Sequence, residues 1–186
     1  MGKGKRGRGT RWTVRGHRVI YQGRLVRLDL DNLEVGGRQF QRENLIHPGA
    51  AAVVPALPNG DIILVRQFRY AVQRELLEIP AGTLERGERP AACARRELME
   101  EAGFRAGRLR HIGRCYPVLG YSTERIEIFV ATGLTPCRSR PEFDEQLTVR
   151  RVSRRQILRL MRRGTIVDAK SLVGLFYYLW YNKSLC

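Results

Sequence analysis

The sequence predicts a mixed α/β (α+β) fold with a small antiparallel β-domain at its N-terminal side. Three observations carry this. Short runs that read as strands recur between Trp12 and Arg69, with Leu25 to Leu30 alternating apolar and polar residues. A run of strong helix formers from Pro90 to Ala102 ends at Gly103, and two further helical patterns follow after Val152. At 186 residues the chain can build one well-cored domain with an appendage.

The segment from Trp12 to residue 47 reads as short strands. Val19-Ile20-Tyr21 precedes a turn-prone Gln22-Gly23, Leu25 to Leu30 alternates, and Gly36-Gly37 suits a hairpin turn into Phe40. Large apolar side chains are sparse here, so the region needs a partner surface. A second domain, 48–186, begins near Pro48. Ala50 to Leu57 and Ile62 to Arg69 are expected to pair as a hairpin across Pro58-Asn59-Gly60-Asp61, because Asn-Gly favours tight turns. Glu75 to Ile79, Arg108 to Tyr116, Arg125 to Ala131 and Leu147 to Val152 complete the strands. Pro90 suits a helix start, and Ala91, Ala94, Leu98 and Ala102 form a core-facing stripe. Arg154 to Arg163 is a helix closed by Gly164. Asp168 caps a last helix reaching Tyr181, in which Leu172, Leu175, Phe176 and Leu179 repeat at helical spacing. Its aromatics read as packing residues rather than a base-stacking platform.

Basic residues outnumber acidic ones, 34 to 18, for a formal charge of +16. The first eleven residues hold Lys3, Lys5, Arg6, Arg8 and Arg11 with no acid, which predicts a disordered basic tail over 1–11. Such a tail could dock on nucleic acid, but no nucleic-acid motif accompanies it, and that partner is not favoured. Cys93, Cys115, Cys137 and Cys186 show neither metal-ligand spacing nor a disulfide framework. Nothing reads as a secretory leader, and Leu172 to Tyr181 is too short to span a bilayer. The expectation is a cytoplasmic protein with no membrane association.

Against that basic background one acidic cluster stands out. Glu97, Glu100 and Glu101 stand at i, i+3 and i+4 of the helix begun by Pro90, so they share a face and repel unless a cation holds them. Hard divalent ions accept such oxygen ligands while keeping sites for water and substrate phosphates. The cluster lies in a longer pattern: Gly82, Glu88, then Arg96-Glu97-Leu98-Met99-Glu100-Glu101, then Gly103-Phe104. Gly82 suits a place where a side chain would forbid the backbone path or a close approach.

These spacings, G-x5-E-x7-R-E-U-x-E-E-x-G-U with U apolar, resemble the Nudix hydrolases at every specified position. The flanks Gln39 to Ala52, Val65 to Gly82 and Gly164 to Gly174 resemble the ADP-ribose pyrophosphatase branch, and the likeness runs from about Tyr21 to Trp180. The resemblance implies an α/β/α sandwich around a mixed sheet, and Mg2+ (or Mn2+) as cofactor. The implied metal ligands are Glu97 and Glu101, with Glu100 on a further ion or a bound water, and the backbone carbonyl of Ala81. Glu88 and Arg96 would brace the loop and helix, with Glu78 supporting them. The implied general base is Glu145, with Glu142 in reserve. Arg69 is the candidate for gripping phosphate, with Arg42 second, since a planar guanidinium matches phosphate oxygens.

The implied reaction is cleavage of ADP-ribose to AMP and ribose 5-phosphate. GDP-mannose or another nucleotide sugar, a triphosphorylated RNA 5′ end, or non-catalytic nucleotide binding are the alternatives. One departure weakens ADP-ribose in particular. Branch members carry a proline in a Ser-Pro-Gly segment where this chain has Leu119, and Pro117 comes two positions early. The branch also implies a homodimer, with the N-terminal strands crossing to the partner.

Overall fold

Alternate residues of the most buried strand face different helices, and that strand organises the larger part of the computed structural model. The structure describes residues 12–140 and 146–181. The chain divides into two compact units: the N-terminal segment to His47 with Val118–Glu124, and the remainder from Pro48 onward.

In the first unit, β1 (Thr13–Gln22), β2 (Arg27–Val35) and β3 (Arg38–Ile46) form an antiparallel meander in that order. Gly36 and Gly37 both take positive φ, 57° and 76°, and close the β2–β3 hairpin at Val35–Arg38. Leu45 bridges to Ser122, bringing the 118–124 segment to this sheet. Its interior is small. Leu33 is the buried apolar side chain here, and Asp29 is buried against Arg27, with bonds of 2.7 and 2.8 Å.

The second unit holds two sheets. β4 (Ala50–Pro55) runs parallel to β9 (Ile126–Pro136) in the order β7-β4-β9-β8, where β7 is Ala81–Thr83 and β8 is Phe104–Cys115. Because the other pairings are antiparallel, this sheet is mixed. The second sheet runs β10-β5-β6, comprising Leu147–Val152, Ile62–Arg69 and Arg74–Glu78. Strand β4 is buried throughout, as a strand covered on both faces must be. Ala51 and Val53 pack with Cys93, Ala94 and Leu98 of α1 (Pro90–Glu100). Ala52 and Val54 pack instead with Ile157 of α2 (Arg154–Arg162) and Leu175 of α3 (Ala169–Tyr181). Helix, sheet and helix therefore form the expected layers. Among the described residues no helix is long and apolar enough to cross a membrane.

Four expectations need correction. The strands flanking Pro58-Asn59-Gly60-Asp61 do not form a ladder. The turn is there, closed by Leu57 N–H to Asp61 O at 2.8 Å, but beyond a single Ala56–Ile62 bridge the strands diverge into different sheets. The apolar runs Ala50–Pro55 and Ile62–Val65 let both be buried on two faces, and a local turn cannot specify that. Ala91 is exposed and Cys93 takes its place in the core stripe. In α3, Phe176 (54 % exposed) and Trp180 (68 % exposed) lie outside the core and stack with centroids 5.7 Å apart. Strand β7, only three residues long, was not foreseen.

Candidate metal and active site

The site is built where β7 passes the start of α1. Arg96 is its organiser. Its Nε and Nη2 donate to the two carboxylate oxygens of Glu88, each at 3.0 Å, and Nη2 also reaches Thr83 O at 3.2 Å. Nη1 donates to Glu97 at 2.6 Å and to Glu100 at 3.1 Å. One guanidinium thus ties loop, β7 and helix together, using the fork geometry that lysine lacks. Glu88 closes the loop further by accepting from Glu85 N–H at 3.0 Å. The Arg96 hydrogen bond, more than its charge, holds the Glu88 carboxyl below the usual range, and Arg96 is itself raised.

Glu97 and Glu101 are 7 % and 2 % exposed, which is unusual for carboxylates. Glu101 accepts from Ala81 N–H at 2.9 Å. Glu97 occupies the space that a side chain at Gly82 would need: a Cβ there would lie 1.7 Å from Glu97 Oε1. Gly82 is therefore required for close approach, since its φ is not in the left-handed region. Cys93 Sγ lies beneath, donating to Gly82 O at 3.4 Å. Burial, then the neighbouring Glu97 and Glu88, push its thiol up to about 12, so it is an inert packing group.

Ala81, Gly82, Glu88, Arg96, Glu97, Glu100 and Glu101 are thus brought together. Among the described residues, no three His, Cys, Asp or Glu side chains already converge on one point; Glu97 and Glu100 turn to Arg96, and Glu101 to Ala81. The donor set nevertheless fits a hard divalent ion. Three carboxylates flank a backbone cradle that only glycine leaves open; Glu97 and Glu101 are buried, and Glu97 and Glu100 share one arginine.

Arg69 and Glu78 face each other at the ends of β5 and β6, with Nε and Nη2 donating to the two Glu78 oxygens at 2.9 and 2.7 Å. Burial works against both charges. It is outweighed at Glu78 by Arg69 and Lys170, which lower it, and at Arg69 by Glu78, Glu101 and Asp168, which raise it. Arg69 therefore has a carboxylate partner that the sequence reading did not give it. Arg42 belongs to the N-terminal unit, its guanidinium 4.8 Å from the Phe40 ring centroid and 5.8 Å from that of Trp12. Glu142 and Glu145 lie outside the described residues. The chain leading to them is anchored to α1, since Ser139 Oγ and Arg140 N–H donate to Glu100 O at 2.6 and 3.1 Å.

Two contributors were missed. Cys93 carried no chemical signal beyond its place in a helix. Lys170 bonds Glu78 from a position 92 residues away, and the only hint was the Asp168-x-Lys170-Ser171 spacing at a helix start.

Residues 46–170 match the family described as NUDIX domain. The chain belongs to the Nudix family and is a Nudix hydrolase. It is 36 % identical over 161 residues to the ADP-ribose pyrophosphatase of Bacillus subtilis (strain 168), covering 85 % of this chain and 87 % of that one. The methanol dehydrogenase activator of Bacillus methanolicus is 32 % identical over the same length and the same shares. Among solved structures, the crystal structure of an ADP compounds hydrolase aligns with a TM-score of 0.85 at 23 % identity, covering 96 % of this chain and 98 % of that one, and shares the fold.

Proposed function

We propose that this protein hydrolyses ADP-ribose to AMP and ribose 5-phosphate in the cytoplasm, using Mg2+ or Mn2+. The 36 % identity to an ADP-ribose pyrophosphatase over most of both chains carries the substrate assignment. The intact acidic cluster distinguishes an enzyme from a nucleotide-binding module. Glu97, Glu101 and the Ala81 carbonyl would hold the ion, with Glu100 on a second ion or its water. A bound divalent ion supplies charge neutralisation at the phosphate oxygens and a water of lowered pKa. Arg96, set by Glu88, holds Glu97 and Glu100 in place on α1. Arg69, held by Glu78, offers its remaining N–H groups to a substrate phosphate. Glu145, or Glu142 in its place, takes the proton of the attacking water. The protein works as a homodimer through its N-terminal strands, whose exposed Val14, Val19, Ile20 and Tyr21 suit burial against a second copy.

The test is product analysis with Mg2+ over ADP-ribose, GDP-mannose, ADP-glucose, diadenosine polyphosphates and 5′-triphosphorylated RNA. Fast AMP release from ADP-ribose, abolished by chelator and by Glu97→Gln, is expected. Preference for GDP-mannose or RNA would keep the metal site and discard the substrate.

A further inference from the structure

The Arg69–Glu78 pair is half of a larger, partly buried cluster. Glu78, 1 % exposed, also accepts from Lys170 Nζ through Oε2, the oxygen that Arg69 Nη2 engages. Lys170 donates a second bond to Asp168 Oδ1 at 2.9 Å. The same Asp168 oxygen accepts from Ser171 N–H at 3.0 Å, capping α3, and Ser171 Oγ accepts from Ile79 N–H at 2.9 Å. The first turn of α3 therefore grips the end of β6 twice, once through the Glu78 side chain and once through the backbone of the next residue. Two residues later the chain enters the metal loop at Ala81.

The charges explain why both cations are needed. Glu78 and Asp168, the two carboxylates bonded in this cluster, face Arg69 and Lys170, so each bonded charge has an opposite partner where desolvation is costly. A buried carboxylate facing one arginine could rotate or draw that arginine inward. A lysine on its second side fixes the carboxylate plane, and the plane fixes the guanidinium. With Nε and Nη2 of Arg69 on Glu78, Nη1 and one remaining Nη2 hydrogen are left to face an oxyanion.

We infer that Lys170 is a positioning residue that, through Glu78, holds the Arg69 guanidinium in place for one phosphate of the substrate. This rests on the phosphate-binding reading of Arg69 given above. Lys170 itself is turned inward onto two carboxylates and does not touch substrate.

A double-mutant cycle tests it. Lys170→Met should raise KM on the order of tenfold, the loss expected for a charge-assisted hydrogen bond, while kcat moves less than about threefold. In an Arg69→Ala background the same change should add nothing. Additive effects, or an unchanged KM, would overturn the inference. Lys170→Gln stands in, by the same criteria, if the methionine variant does not melt cooperatively. A second readout needs no substrate: the Arg69 Nε–H resonance, assigned by its absence in Arg69→Ala, should be protected from exchange in the parent protein and lost in Lys170→Met. An unmoved resonance would overturn the inference even if ADP-ribose proved to be the wrong substrate. A lost resonance with no ADP-ribose turnover in the parent would keep the positioning and sink only the substrate.

Discussion

Gly82 is the residue at which sequence and geometry agree most directly. The cradle it leaves open is filled by the Glu97 carboxylate, so Gly82→Ala should push Glu97 off the Ala81–Gly82 backbone. Displacing a ligand by about an ångström costs on the order of a hundredfold in turnover. Steady-state kinetics with saturating Mg2+ checks this, together with a thermal melt to show that the fold persists. Near-parental turnover would mean that Glu97 does not work from this position. The short-range partners were legible for the same physical reason. Arg96, Glu97 and Glu100 lie within one helical turn or so, where spacing alone fixes which side chains meet. Arg69 was legible only in part: its chemistry suggested an anion, but the anion it meets in the folded chain is Glu78. No local pattern announces a bond between residue 78 and residue 170. Such contacts belong to tertiary packing.

At the scale of elements, most strands and all three helices could be read from periodicity and caps. The failures share one cause. Strand β4 and the Ile62–Val65 half of β5 are apolar on both faces, so their pattern says that they are buried without saying against what. The intervening turn suggested the wrong partner for each. Helix α3 carries apolar residues around its whole circumference, and only packing decides that Leu175 and Tyr178 go in while Phe176 and Trp180 stay out. Helix α2 is the opposite case, with a start written locally. Ser153 accepts from Gln156 N–H at 3.3 Å, while Gln156 Oε1 accepts from Ser153 N–H at 2.9 Å, a reciprocal capping box. Ser153→Ala should cost about 1 kcal/mol of stability. Denaturant unfolding is the measurement, and turnover should be unaffected because α2 supplies no site residue. A loss of activity without a loss of stability would show that α2 reaches the chemistry after all.

The two units differ as whole objects. The larger one encloses two apolar clusters on either side of β4, the interior expected of a self-sufficient domain. The N-terminal unit has little to enclose. Leu33 is its one buried apolar side chain among the described residues, and Val14, Val19, Ile20, Tyr21 and Leu25 are all at least half exposed. A three-stranded sheet with so thin an interior needs burial against something else. Scattered exposed apolar residues are ordinary, but five within a single strand and the turn after it are not. A second copy is the partner that every molecule of the protein has available. Light scattering at micromolar concentration should therefore give a mass of twice the 21.4 kDa chain. Val19→Glu with Ile20→Lys should shift the protein toward the monomer, since charges at those positions would have to be desolvated on association. The larger unit of that variant should keep its melting transition, because its clusters do not include β1. A monomeric parent would leave the apolar strand without the partner assigned to it and would sink the homodimer.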